Sequence, residues 1–485
     1  MKVAVIGSGI GGLAIACRLA AKGHEVSVFE KNELPGGKIS EINEEGYRFD
    51  TGPSLFTLPE LVEELYIASG ETVPSTFAYK KLEAICKYFY SGGESLIAWS
   101  DQQKFTDECV QKLGEDPSNI SNYFKNASLI YKITADIFLF NSLHKVKNLM
   151  KFSVLKSLFQ VYKIKFYKTM HTDNKSNFKS PLLVQLFDRY ATYNGSNPYK
   201  APATLNVIAH LENNLGAYFP EQGMYSIVKN IYELALKKGV RFNFNSLVTS
   251  IDIKSKKAVG LKIGDKTIAF DRIVSDSDIN YLANNLMDHP LKKRFDRLEP
   301  SSSALVFYWG INKEFPDLDL HNIFFSADYK KEFNNIFKEK TIDIDPTVYI
   351  FVSSKIVKND APKNCENWFV MVNAPSNSKE NWEELIRTTK INIINKINKS
   401  LKTNIEDYIA YEKIASPITI EQDTLSKGGA LYGNSSNAIF SAFLRHPNFL
   451  KSVKNLYFVG GSVHPGGGIP LCLASAKIVA NEIPA

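Results

Sequence analysis

Arginine is scarce in this 485-residue chain, with nine arginines against forty-nine lysines. Readers of nucleic-acid bases lean on the forked guanidinium for bidentate contacts. A net charge of +7 carried mostly by lysine therefore points away from nucleic acid, and toward a solvated surface or anionic lipid headgroups. Cysteine is scarce as well. The five residues (Cys17, Cys86, Cys109, Cys365 and Cys472) show no C-x-x-C spacing, which argues against a zinc site or a disulfide framework and fits a reducing cytoplasm. The eight histidines are dispersed without pairs at helical spacing, so no metal site is expected. Uninterrupted apolar runs of the ~18 residues needed to span a bilayer are missing too. Lys2 and the apolar run after it could suggest a secretory signal, but glycines at 7, 9, 11 and 12 break that run, and no cleaved signal is expected. Disorder is excluded by composition, since 44% of residues are hydrophobic and 12% aromatic.

What is present begins at residue 2. Lys2-Val-Ala-Val-Ile6 reads as a buried parallel strand, residues 10–22 as an Ala/Leu-rich helix capped by Gly23, and Glu25–Phe29 as a second strand ending at Glu30. Between the first strand and the helix lies Gly7-Ser8-Gly9-Ile10-Gly11-Gly12. In the Gly7-x-Gly9-x-x-Gly12 spacing, Gly7 permits the tight turn and Gly9 lets the backbone approach a pyrophosphate. Gly12 lets helix and strand pack closely, with the helix N-terminus facing the phosphate charge. Glu30 is placed to accept from the adenosine ribose hydroxyls. This unit does not by itself separate NAD from FAD.

A second glycine-rich stretch lies near the other end. Asn455–Ser462 reads as a strand ending in a glycine turn. Val463-His-Pro-Gly-Gly-Gly-Ile469-Pro470 then leads into an apolar helix whose free amides and positive dipole face outward. Such a helix end can stabilise negative charge developing on a reduced flavin.

Two further segments carry a resemblance. Glu33-Leu-Pro-Gly-Gly37-Lys38 resembles the second flavin signature of the amine-oxidase and carotenoid-desaturase superfamily, and Asp50-Thr-Gly52-Pro53 resembles its flavin-ring contact. With the C-terminal NLYFVGGSVHPGGGIPLCLASAKI, the whole chain resembles the bacterial phytoene-desaturase-type carotenoid desaturases. Arg189–Thr204 and Gly216–Pro220 look closest to the hydroxycarotenoid 3,4-desaturases. The chain departs from the family at Glu221-Gln222-Gly223 and at Arg445-His446-Pro447.

The resemblance implies FAD as cofactor. Ile6, Gly7, Gly9, Ile10, Gly11, Gly12, Glu30, Lys31, Gly37 and Lys38 would hold its ADP half, with Val248 meeting the adenine through its backbone. Gly52, Pro53, Ser54 and Leu55 would lie along the flavin, and Gly461, Ser462, Gly468 and Ile469 would hold ribitol and ring. Asp276 would lie near the pyrophosphate, or else cap a helix. Lys38 alone would read as a solvated lysine.

The expected fold is α/β (α+β overall): a Rossmann-like FAD-binding domain assembled from non-contiguous segments, plus a substrate domain with a mixed sheet and a helical, membrane-facing part. The expected partition is 1–78, 220–290 and 440–485 against 79–219 and 291–439. Residues 137–172 hold seven lysines and no acidic residue, interleaved with bulky apolar side chains. They read as a peripheral membrane contact on the inner face of the cell membrane, or as an ordinary helix with solvated lysines.

The activity implied is desaturation of an apolar carotenoid, the flavin accepting hydride from an allylic carbon while a neighbouring carbon loses a proton. Binding would rest on apolar burial, roughly 0.8 kcal/mol per CH₂. Rate would come from holding the target bond about 3–3.5 Å from the acceptor. A polar group near one end of the tunnel would recognise a terminal hydroxyl. No second G-x-G-x-x-G appears, so oxygen or a quinone is the expected electron acceptor. No proton-accepting residue is assigned; Tyr193, Tyr199 and His210 read as packing or positioning groups. A phytoene- or lycopene-forming desaturase or a carotenoid isomerase of the same family, an amine oxidase, and a non-enzymatic prenyl-binding protein of related fold are the rival readings.

Overall fold

The structure is a computed structural model that describes residues 1–135, 160–291, 298–377, 380–437 and 445–485. At its centre is a five-stranded parallel sheet in the order Leu456–Phe458, Arg272–Ser275, Lys2–Ile6, Glu25–Phe29, Arg241–Asn243. Its strands come from the beginning, middle and end of the chain, as a nucleotide unit interrupted by insertions requires. The central strand is buried on both faces, and successive side chains enter different cores. Val3 and Val5 pack toward the helices Ile10–Ala21, Tyr225–Lys237 and Ile469–Ala480. Ala4 and Ile6 pack toward the antiparallel strands Val248–Lys254 and Lys257–Ile263 through Val248, Ile251 and Leu261.

The second sheet has seven strands, ordered Ile409–Ala415, Ser303–Ile311, Glu366–Ala374, Val348–Phe351, His321–Phe324, Ala84–Phe89, Ser95–Trp99. It is antiparallel apart from the pairing of His321–Phe324 with Ala84–Phe89. Ser303–Ile311 alternates strictly. Leu305, Phe307, Trp309 and Ile311 join a dry core with Ile393 and Ile397 of the helix Trp382–Leu401. Ala304, Val306 and Tyr308 face the other way.

Helices Gln102–Leu113, Pro117–Thr134, Met170–Asn177 and Pro181–Asp188 cover one end of this sheet. Two of them start on aspartate caps, Asp101 accepting from the Lys104 amide and Asp116 from the Ser118 amide. Of the lysine-rich stretch 137–172, residues 137–159 lie outside the described residues; Tyr162 and Tyr167 within the remainder are exposed. Among the described residues, no helix is long and apolar enough to cross a membrane.

Candidate functional site

One cavity of about 1300 Å³ runs from the parallel sheet onto the face of the seven-stranded sheet that carries Ala304, Val306 and Tyr308. Nineteen of the twenty residues singled out from the sequence line it: Ile6, Gly7, Gly9, Ile10, Gly11, Glu30, Lys31, Gly37, Lys38, Gly52, Pro53, Ser54, Leu55, Val248, Asp276, Gly461, Ser462, Gly468 and Ile469. Gly12 does not line the wall. A Cβ there would run into the Gly7 carbonyl oxygen, so its place is the close packing of turn and helix.

The cradle end is built from bare backbone. Gly9 is the N-cap of the Ile10–Ala21 helix and has no side chain to cap it, so the helix-start amides are open to a partner from elsewhere in the chain, and the Asp276 carboxylate meets those of Gly9 and Gly12. A Cβ at Gly11 would lie 2.8 Å from the Gly460 nitrogen, and one at Gly9 would lie 2.5 Å from the Asp276 carboxylate. Glu30 accepts from the Ser8 amide and hydroxyl at 2.8 Å each and from the Asn32 amide at 3.0 Å. It thus stiffens the glycine turn at the position where ribose hydroxyls would be read.

Asp276 faces the Gly12 and Gly9 amides. Burial pushes its carboxyl up to about 7; the Gly12 amide opposes that, the Glu30 charge adds to it, and Lys38 and the Gly9 amide oppose it. Asp276 thereby meets amides at the start of the Ile10–Ala21 helix, while Asp278 caps the short helix Ile279–Tyr281, accepting from the Asn280 and Tyr281 amides. Lys38 is held inside the wall, donating to the Ala430 and Leu431 carbonyls at 3.0 and 2.7 Å, and burial lowers its pKa. On the opposite wall Gly468 (φ 103°) precedes the uncapped, proline-started helix Ile469–Ala480. Ser462 Oγ accepts from the Ile279 amide. Two helix ends with glycine at the N-cap and a glycine-lined slot fit a flavin dinucleotide, whose diphosphate needs amides and whose ring needs room against backbone.

The other end is built from side chains. Val306 and Tyr308, with Phe369 and Met371 beside them on the same sheet face, form one wall, and Leu205, Ile208 and Leu211 also line this end. Into this apolar space projects a polar cluster. Arg189 donates to Tyr88 OH (2.8 Å), Tyr193 OH (3.2 Å) and Glu212 (3.5 Å), while Tyr190 and Tyr193 also donate to Glu212. Nearby, Ser54 Oγ meets Tyr349 OH at 2.5 Å, and Tyr349 OH meets His321 Nδ1 at 2.8 Å. Burial, aided by the Arg189 charge, lowers His321 to about 3.

Of the three positioning groups expected from the sequence, only Tyr193 lines the cavity. Tyr199 stacks against His171, and His210 pairs with Asn214. Sequence reasoning passed over Arg189, Glu212, His321 and Tyr349. The one usable signal was a rare arginine opening the segment Arg189–Thr204 in a lysine-rich chain. Among the described residues no cluster could hold a metal ion.

Comparison with known proteins adds three observations. The family described as flavin containing amine oxidoreductase matches residues 10–484. The chain is 46% identical to a 1-hydroxycarotenoid 3,4-desaturase of Flavobacterium sp. (strain P99-3) over 484 residues, covering 100% of this chain and 99% of that one. It is 29% identical to a 4,4'-diaponeurosporene oxygenase of Staphylococcus haemolyticus (strain JCSC1435), over 99% and 97% of the two chains. Among solved structures, an oxidoreductase from Methanosarcina mazei superposes with a TM-score of 0.64 at 15% identity, covering 100% of each chain. Cyclohexylamine oxidase from Brevibacterium oxydans IH-35A gives a TM-score of 0.63 at 14% identity over 99% and 98% of the two chains; at that identity the likeness speaks for the fold alone.

Proposed function

Because this chain belongs to the flavin-containing amine oxidoreductase family, and is thus a flavin-dependent oxidoreductase, we propose that it desaturates a carotenoid, and specifically that it introduces the 3,4 double bond of a 1-hydroxylated one. The observation that carries this reading is the continuity of the cavity, from a glycine cradle onto a sheet face of Val306, Tyr308, Phe369 and Met371. A long apolar polyene fits such a wall. An amine substrate asks for an unengaged carboxylate, and Glu212, the carboxylate of the polar cluster, is already bonded by two tyrosines and Arg189. The 46% identity to a 1-hydroxycarotenoid 3,4-desaturase supports the same choice.

In this reading Ile6, Gly7, Gly9, Ile10, Gly11, Glu30, Lys31, Gly37, Lys38 and Val248 would hold the ADP half of FAD, with Gly12 keeping turn and helix close and Asp276 near the pyrophosphate. Gly52–Leu55, Gly461, Ser462, Gly468 and Ile469 hold the flavin. When bound, the flavin supplies a two-electron hydride acceptor. The protein's own work is to bind and orient. Apolar side chains strip water from the polyene, which gives binding without any charge to grip. Tyr308 and Phe369 fix the plane of the chain against the sheet. The Ile469–Ala480 helix end directs its amides to where negative charge develops. The glycine-bared backbone allows the reacting carbons to be held near contact distance.

Oxygen or a quinone serves as electron acceptor in this reading. The protein gathers its substrate as a peripheral protein at the cytoplasmic face of the membrane. Lys163 and Lys168 beside the exposed Tyr162 and Tyr167 support such a contact. Flotation with anionic vesicles checks it: binding should fall when these lysines are reversed to glutamate.

The activity is tested by anaerobic incubation with 1-hydroxylated and plain acyclic carotenoids, following absorbance and mass. A red-shifted product lighter by two hydrogens, formed in step with flavin reduction, is expected. Isomerisation would give no mass change and no need for an acceptor, and either result would remove desaturation.

A further inference from the structure

His321 begins the strand His321–Phe324 and is 3% exposed, its ring stacked on Phe351 at 5.3 Å. Its Nδ1 is engaged by Tyr349, which is in turn engaged by Ser54; all three side chains line the cavity. The other ring nitrogen, Nε2, is buried and has no hydrogen-bond partner among the described residues. A buried polar atom without a protein partner calls for one from a water or a ligand group, and at the wall of a substrate cavity a ligand can supply it.

The chemistry of that group follows from the ring. Burial holds His321 neutral throughout the physiological range, so one nitrogen donates and the other accepts. If Tyr349 donates to Nδ1, Nε2 carries the hydrogen. If Tyr349 donates to Ser54 instead, Nε2 presents a lone pair. A hydroxyl both donates and accepts, so it satisfies either tautomer. An ammonium or a carboxylate satisfies only one, and a hydrocarbon satisfies neither. Arg189 fits less well: its terminal nitrogens are bonded to Tyr88, Tyr193 and Glu212, its face is covered by the Tyr190 ring at 4.7 Å, and its one unpartnered nitrogen, Nε, can only donate.

Position agrees with chemistry. In a 1-hydroxylated chain oxidised between carbons 3 and 4, the hydroxyl carbon is one methylene away from the reacting bond. Its recogniser must therefore stand beside the flavin, not at the far end of the tunnel. The Ser54–Tyr349–His321 row starts in the Gly52–Leu55 segment placed along the flavin. We propose that His321 is the specificity-determining residue, its Nε2 hydrogen-bonding the substrate hydroxyl so that the adjacent carbon pair is presented for oxidation. This assignment rests on the desaturase reading above.

The test uses the FAD-loaded protein with a 1-hydroxylated acyclic carotenoid and the matching hydrocarbon. It reads kcat/KM together with binding, followed as a shift of the carotenoid absorption bands in the oxidised protein. The wild type should favour the hydroxylated compound. His321→Leu should weaken its binding and turnover about 10–100-fold, shrinking the ratio between the two compounds by that factor. His321→Gln keeps a donor and an acceptor and should recover part of the ratio. Flavin content and circular dichroism identify a variant that has failed to fold, and the Gln variant then carries the comparison. A ratio unchanged in the variants, or an equal fall on both compounds, overturns the His321 assignment alone. A wild type that oxidises neither compound overturns the desaturase reading and the assignment with it.

Discussion

The two ends of the cavity are made of different material. At the cradle end the wall is peptide backbone: the amides of the Ile10–Ala21 helix start, glycines whose missing Cβ atoms leave the slot open, and carbonyls that hold Lys38. At the polyene end the wall is side chain, apolar over most of its area and interrupted by one buried charge pair and one tyrosine–histidine row. Backbone walls are shared by every molecule that presents a diphosphate and a flat ring. Side-chain walls can be changed one residue at a time without moving the chain. The first kind fixes the cofactor, and the second selects what is oxidised.

That contrast can be broken in three places. The largest effect is expected at Gly11, where valine would drive its branches into the Gly460 backbone. Backbone cannot rotate away as a side chain can, so Gly11→Val should cost about 3 kcal/mol or more and yield protein without bound flavin. The ratio of visible to ultraviolet absorbance after purification reads this directly. A yellow Gly11→Val protein would mean that the slot is less rigid than the glycines indicate.

A comparable effect is expected at the polyene end from Glu212→Ala. It leaves the buried Arg189 guanidinium without its carboxylate, a change that costs about 3–5 kcal/mol in buried pairs. Urea denaturation should register it. Replacing both partners by apolar residues of similar size should cost much less than the single change. If the double variant is as unstable as the single one, the pair is not acting as a pair.

The most gradual effect is a pH dependence at Asp276, spread over several pH units at no more than about 1.4 kcal/mol for each. Its folded pKa, about 7, lies above the ordinary carboxylate value. The protonated form is therefore favoured in the fold. Stability linked to this group is fully present in acid and is lost as pH rises through 7. In flavin-free protein the wild type should lose up to about 4 kcal/mol relative to Asp276→Asn between pH 4 and pH 7. Thermal melts of both proteins across that range give the slope, and parallel profiles would show that Asp276 is ionised throughout.

The cradle end was largely readable before folding, because a requirement on backbone writes itself into local spacing. Gly7, Gly9 and Gly12 lie within six positions, Glu30 ends the next strand, and Gly460–Gly468 starts the last helix. Asp276 left two readings open, and the geometry sets it on the Gly9 and Gly12 amides at a helix start, where both remain compatible. The polyene end was not readable in this way. Arg189 and Glu212 meet because a 3₁₀ turn and a π-helical turn bring them face to face. His321 and Tyr349 are diagonal neighbours only because His321 pairs with Phe351 across two antiparallel strands. Ser54 reaches Tyr349 from a third segment. Nothing in the local sequence around any of these residues announces the others.

The alternation along Ser303–Ile311 has a consequence for how such a protein diversifies. Ala304, Val306 and Tyr308 touch whatever lies in the cavity, while Leu305, Phe307 and Trp309 touch only the Trp382–Leu401 side. One stretch of nine residues thus carries two independent inheritances, read at odd and even positions. Drift among the even ones retunes which oily molecule is welcomed while the odd ones keep the scaffold. Loss or gain of one residue would exchange the two sets at a stroke, so substitution is the route open to change here and insertion is not.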